Sequence, residues 1–234
     1  MKVLKFGGSS VANHQNIKQV LQVVKQASQK EKVIGLQGQV STLSEKGEDL
    51  EDLVKVVGEL TNHKEQRAFI KLKWAESSDG YIGETEKNIS ISNAYSNIIS
   101  HKYRTQVDGI LVGYNTAIND KPALNARHWQ GNQPARIFLD WHCKLPLDIV
   151  QKKGQRNIVL NSSRSETKEN IEYVQVEKSA TAIAKKMFEL NLQSILVEGG
   201  AKTHQIFINE NSWDEAVVIK SNQNLNKGIP AADI

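Results

Sequence analysis

Between Ala68 and Lys220 short apolar runs alternate with helical stretches, and that alternation restricts the fold more than any other feature of the chain. The runs Ala68–Ala75, Gly109–Val112, Arg136–Asp140, Asn157–Leu160, Tyr173–Val176, Ile195–Glu198 and Glu215–Lys220 read as strands. Helices are expected over Asn93–Thr105, Ala180–Asn191 and Thr203–Asn209, the first with Tyr95, Ile98, Ile99 and Lys102 spaced for one face. Strands alternating with helices point to an α/β domain with a largely parallel central sheet.

Upstream, the pattern is strand, Gly-rich turn, helix, strand. Val3–Phe6 is apolar, Gly7–Ser10 is a turn, and Ile17, Val20, Leu21, Val23 and Val24 recur at helical spacing before the apolar Lys32–Leu36. A second helical pattern covers Glu48–Leu60. The polar run 61–66 then marks a boundary, giving an N-terminal fragment over 1–62 and a second domain over 67–234. Residues 228–234 read as loop, so the second domain is expected to lack a closing strand and to be truncated.

Composition excludes several classes. No stretch is apolar enough to span a bilayer, and Gly7, Gly8, Ser9 and Ser10 interrupt the N-terminal apolar run where a signal peptide would need it. No membrane partner and a cytoplasmic address are the expectation. The single cysteine, Cys143, excludes an intrachain disulfide framework, and beside His142 it falls short of the four ligands of a structural zinc site, so no metal is expected. The net charge is +4, but Lys and Arg are scattered among acids without a basic block or interleaved aromatics, so no nucleic acid is expected. A mildly basic enzyme that handles phosphorylated small molecules accounts for the charge equally well.

Three segments carry chemistry. In Ile195–Ala201 a buried strand runs through Glu198 into Gly199 and Gly200 and then into a helix. Glycines there let backbone N–H groups approach a phosphate at a helix N-terminus, a simple tight turn being the alternative. Arg104, Asp120 and Arg127 bring two guanidinium forks and a carboxylate around a turn-rich segment after the Gly109 strand, a set suited to a sugar phosphate; solvated surface pairs are the alternative. Lys73 interrupts an apolar strand. It must either meet a partner or sit at an edge, and near a carboxylate it is placed to orient a substrate or move a proton.

These segments occur together, and in order, in a known family. Arg67–Ala75 through Asp79-Gly80, Ile91-Ser92-Asn93, His101–Arg104, Ile110–Gly113 with Asn115-Thr116 and Asn119-Asp120, Pro122–Arg127, Val197–Ala201 and Trp213-Asp214-Glu215 resemble the reductase domain of the riboflavin-biosynthesis deaminase/reductase. The resemblance covers about residues 67–227. It implies a dihydrofolate-reductase-like fold and the NADPH-dependent reduction of the ribosyl group of 5-amino-6-(5-phosphoribosylamino)uracil to a ribityl chain. On the matching positions, Arg104, Leu124 and Arg127 are the implied substrate contacts, and Lys73, Asp120 and Glu198 surround the reacting sugar. Of these, Lys73 and Glu198 are the candidates for stabilising or protonating the nitrogen. Glu198 also counts with the substrate contacts and Asp120 with the cofactor side. Ala75, Thr116 and the run from Gly199 through Gly200, Ala201, Lys202 and Thr203 match the cofactor side, and a homodimer is implied. Ser162, Ser163 and Arg164 directly follow a strand and offer hydroxyls and a guanidinium for the 2′-phosphate of NADPH. Where the family shows two acids before the proline of its substrate loop, this chain has Asp120 then Lys121. The family's zinc-dependent deaminase half has no counterpart, so reduction is expected without deamination.

Met1–Asn13 carries a different resemblance, to the start of aspartate kinase, in which Lys5, Gly7, Gly8 and Ser9 would be nucleotide contacts. The match fades after about Ile34, which implies a partial β-α-β amino-acid-kinase-like fragment, inert for phosphoryl transfer. The competing expectations are a truncated aspartate-kinase-type ATP binder and an inactive fusion of two enzyme fragments.

Overall fold

The computed structural model describes residues 65–84 and 91–234; the kinase-like fragment, with Lys5, Gly7, Gly8 and Ser9, lies outside the described residues. The chain order is β1 (Phe69–Glu76), β2 (Tyr81–Gly83), α1 (Ala94–Thr105), β3 (Gly109–Gly113), α2 (Tyr114–Asp120), β4 (Ala135–Leu139), α3 (Leu147–Val150) and β5 (Asn157–Asn161). It continues with β6 (Glu166–Lys168), β7 (Ile171–Gln175), α4 (Ala180–Glu189), β8 (Ser194–Gly199), α5 (Ala201–Asn209), β9 (Glu215–Lys220) and β10 (Ile229–Pro230).

Eight strands form one sheet in the order β6-β7-β5-β4-β3-β8-β1-β9, parallel throughout except where β6 runs against β7. Every residue of β3, β4 and β5 is buried, as a sheet covered on both faces requires. Alternation along the strands divides the core in two. Leu111, Ile137, Ile158 and Val197 pack with Ile183, Ala184 and Met187 of α4 and Phe207 of α5. Ile110, Phe138, Val159 and Leu196 face the other way, toward Ala117 of α2 and Ile149 and Val150 of α3.

α1 corrects the expected facing. It begins where predicted, with the Asn93 side chain accepting from the amide of Ser96 as a cap. Its buried residues, however, are Ser100 and His101, while Tyr95 is 72% exposed and Ile98 40% exposed. The helix lies over the part of the sheet that presents Lys71, whose Nζ sits 4.9 Å from the ring of Tyr103, so its inner face is polar and its apolar stripe looks outward.

The turn-rich segment after β3 is also not a loop: Tyr114–Asp120 is helical, stopped by Lys121 in the left-handed conformation. Its turn formers yield to the tertiary environment, in which Ala117 is completely buried. The sequence reading missed β2, α3, β6 and β10, all of two to four residues. Ile229 and Pro230, within the segment read as loop, pair antiparallel with Gly83 and Tyr81. Among the described residues no helix is long and apolar enough to cross a membrane.

Candidate active site

The carboxyl ends of β3, β8 and β1 lie side by side in the parallel sheet, the end of the strands where ligands of open α/β folds gather. β8 determines the arrangement. Leu111 of β3 pairs with Val197, but Val112 pairs with Gly199, so the register slips at Glu198 and leaves that residue unpaired with β3. A bulge of this kind frees and re-aims a side chain. The Glu198 carboxylate meets Arg104 of α1 as a two-pronged pair, accepting from Nε at 2.8 Å and from Nη2 at 2.6 Å. The remaining terminal nitrogen, Nη1, donates to the carbonyl of Asn125 at 3.1 Å. Both side chains are largely buried, 16% and 9% exposed, so each charge depends on the other.

Lys73 lies on β1 beside this pair. Burial pushes its ammonium below the usual lysine range, with Glu198 opposing and Arg104 adding to the shift. Among the described residues it has no ion-pair partner within 4.0 Å. A desolvated amine next to a locked carboxylate–guanidinium pair is suited to moving a proton. His204 of α5 is buried in the same neighbourhood, its Nε2 on the carbonyl of Val197 at 3.0 Å and its ring 5.0 Å from that of Trp74.

The other wall is made of backbone. Gly199 has φ +147°, a conformation glycine adopts readily and side-chain-bearing residues rarely do, and Gly200 caps α5. Thr203 and His204 donate their amides back to the carbonyl of Gly200, which leaves the amides of Ala201 and Lys202 facing outward without partners among the described residues. Thr116 of α2 covers both glycines: a Cβ on Gly200 would stand 3.1 Å from its Oγ1. Beneath the cradle a Cβ on Gly113 would stand 2.3 Å from Oγ1 of Thr203, so β3 packs this closely on α5 as glycine. Ala75, half-buried on β1, shares the face of Lys73, and Lys202 is exposed in the first turn of α5.

The remaining candidates lie further out. Asp120 ends α2 and is exposed, its carboxyl raised above the usual range by partial desolvation. Leu124, at φ +46°, is fully buried and belongs to the core beneath α2, so only its backbone is available to a ligand. Arg127 is exposed, with Nη1 donating to Oδ1 of Asn125 at 3.0 Å and Nε to Nε2 of His128 at 3.2 Å. Arg104 and Arg127 thus both reach Asn125, but Arg104 is committed to Glu198 and Arg127 has no carboxylate partner among the described residues. Ser162, Ser163 and Arg164 follow β5, three strand spacings or about 14 Å from β8. Oδ1 of the buried Asn161 accepts from the amides of Ser163 and Arg164 and shapes that turn, while Arg164 pairs with Glu166 and lies over Tyr173.

Sequence reasoning passed over His101. It is buried one turn before Arg104, its ring meets that of His128 edge-on at 4.6 Å, and burial together with Arg104 and Arg127 pushes its pKa down to about 4. The i,i+3 spacing to Arg104 is the signal that points to it.

The comparisons identify the family to which this fold belongs. The family model described as the RibD C-terminal domain matches residues 68–221. The riboflavin biosynthesis protein RibD of Aquifex aeolicus is 29% identical over 180 residues, covering 73% of this chain and 51% of that protein. From the same organism, a 2,5-diamino-6-ribosylamino-4(3H)-pyrimidinone 5′-phosphate reductase is 27% identical over 173 residues, covering 66% and 76%. The solved structure of the Thermotoga maritima diaminohydroxyphosphoribosylaminopyrimidine deaminase/5-amino-6-(5-phosphoribosylamino)uracil reductase superposes with a TM-score of 0.68 at 25% identity, covering 77% of this chain and 52% of that one. Rib7 of Saccharomyces cerevisiae, at 21% identity and a TM-score of 0.60, shares the fold. The chain spans about half the length of the RibD proteins it matches. The sheet order, the glycine cradle and the family match together place this chain, with its dihydrofolate-reductase-like fold, in the RibD C-terminal domain family.

Proposed function

We propose that this chain reduces the ribosyl group of 5-amino-6-(5-phosphoribosylamino)uracil to the ribityl chain, with NADPH as the hydride donor. The observation that carries the reading is the position of Lys73 and the Glu198–Arg104 pair directly beside the Gly199–Gly200 cradle. The cradle fits a nicotinamide dinucleotide, because Gly199 and Gly200 present backbone there and the first two amides of α5 have no partner among the described residues. The cofactor supplies a hydride to the imine carbon of the ring-opened sugar. The imine nitrogen then needs a proton, and Lys73, held below its usual pKa by burial, is the donor at hand. Glu198, fixed by both nitrogens of Arg104, accepts a sugar hydroxyl. Arg127, free of any carboxylate among the described residues, takes the 5′-phosphate in its fork. Ser162, Ser163 and Arg164, about 14 Å along the sheet from β8, suit the far end of an extended dinucleotide and its 2′-phosphate. In this reading the reductase unit runs over 67–234 and residues 1–62 form a separate fragment.

The test follows NADPH consumption with the phosphoribosylamino-uracil and, in parallel, with its 2-amino pyrimidinone counterpart, the product identified by a gain of two hydrogens. Saturable quenching of Trp74 fluorescence by NADPH, absent with ATP, is expected alongside, since Trp74 stacks beneath α5. Lys73→Met is expected to remove the fall in rate on the alkaline side. Arg164→Ala is expected to narrow the preference for NADPH over NADH. Turnover of the 2-amino compound alone would move the assignment to that substrate, and no NADPH consumption by folded protein with either compound would end it.

A further inference from the structure

Among the described residues Arg127 is exposed and held only by neutral partners, whereas several other arginines are each matched by a carboxylate. Arg67 pairs with Asp214, Arg104 with Glu198 and Arg156 with Glu172, each in a charge-matched fork. Arg127 is held by an amide oxygen, Oδ1 of Asn125 at 3.0 Å, and by an imidazole nitrogen, Nε2 of His128 at 3.2 Å. Both acceptors orient the guanidinium without cancelling its charge. The bond from Nε matters most, because it fixes rotation about the end of the side chain and decides where the two terminal nitrogens point.

His128 is itself exposed and needs a support to act as a fixed acceptor. That support is His101, 4% exposed, whose ring meets His128 edge-on with centroids 4.6 Å apart. His101 belongs to α1, the helix that carries Arg104 one turn further on. Among the described residues its Nδ1 has no partner, and packing fixes the ring. One rigid helix therefore registers the anchored guanidinium against the Arg104–Glu198 clamp.

We propose that His128, braced by His101, is a positioning residue that aims Arg127 at the phosphate of the substrate, so that selectivity for a phosphorylated sugar rests on an imidazole acceptor. The inference depends on the assignment of Arg127 to the 5′-phosphate made above. Low burial of His128 leaves the fold indifferent to its replacement, and the reacting carbon lies with Lys73 and Glu198, not with this pair.

The experiment measures KM and kcat for the phosphorylated substrate and for its dephosphorylated ribosyl counterpart in the full chain. Loss of a hydrogen bond to a charged group corresponds to about a tenfold change in binding, so His128→Ala is expected to raise KM for the phosphorylated compound about tenfold with kcat changed less than about twofold. KM for the dephosphorylated compound is expected to stay put. His128→Gln, which keeps an acceptor near the position of Nε2, is expected to recover most of the loss, and His128→Ala is expected to add nothing to Arg127→Ala. An unchanged KM in His128→Ala, or a Gln variant no better than Ala, would overturn the proposal while Arg127→Ala still raises KM. If Arg127→Ala also leaves KM unchanged, the phosphate assignment falls as well.

Discussion

The two walls of the cleft are built from opposite materials. The wall at Gly113, Gly199, Gly200, Thr116 and Thr203 is backbone and small side chains at close range, and its fit is steric. The wall at Lys73, Arg104, Glu198 and Arg127 is charge, mostly withdrawn from water, and its fit is electrostatic. A wall of the first kind tolerates salt and pH and fails on the addition of a methyl group. A wall of the second kind tolerates changes of shape and fails on the loss of one charge.

The sharpest way to break the contrast is at Glu198. Replacing it by alanine strands the Arg104 guanidinium, and removing one partner of a buried pair costs about 3 kcal/mol or more. Urea unfolding of Glu198→Ala should show that loss together with a collapse of turnover. A loss under about 1 kcal/mol, the range of exposed pairs, would place the pair effectively in water and the contrast would fail.

Acid comes next. His101 titrates near 6.5 when unfolded and at about 4 when folded, so between those values the unfolded chain holds the extra proton and stability falls as pH drops through the window. The groups that set this are burial first, then Arg104, Arg127 and His128, with Glu198 opposing. At about 1.4 kcal/mol per pKa unit the loss is on the order of 3 kcal/mol by pH 4. His101→Gln should flatten that slope, and an identical slope in the variant would show that His101 does not carry it.

The steric wall gives the smallest expected loss of stability. Gly113→Ala drives a Cβ to 2.3 Å from Oγ1 of Thr203, and overpacking of this kind costs about 1–3 kcal/mol. NADPH affinity should fall with it, by a factor that added salt leaves unchanged. Thr203→Ala in the same chain removes the opposing atom and should restore stability. If it does not, the close approach of β3 to α5 is not what the glycine serves.

What the sequence disclosed follows the same division. The interior strands announce themselves as short, largely apolar runs because both faces of β3, β4 and β5 are covered, and the cradle shows as paired glycines between a strand and a helix. The charged wall was only half legible. Residue type pointed to Arg104, Glu198 and Lys73, but the pairing of Arg104 with Glu198 joins positions 94 apart and depends on β8 lying beside β3 under α1. α1 itself was read inside out, since apolar spacing locates the core only where the core is apolar, and this helix covers Lys71 and buries Ser100 and His101. The helix Tyr114–Asp120 was hidden behind turn-forming residues that its buried Ala117 overrides.

The position of β8 also sets a timetable. It lies in the interior of the sheet between β3 and β1, yet it is the second-last of the eight strands to leave the ribosome. Among the described residues β1 pairs only with β8 and β9, so Phe69–Glu76 waits more than a hundred residues for these neighbours. Chains grow at roughly 5–20 residues per second, which leaves that strand exposed for many seconds. A sheet completed by a late interior strand gains its working end in a single late step, and pairing over such separations is slow. The cleft and the completed fold therefore arrive together, and a nascent chain interrupted before Gly199 presents an open apolar strand and no site.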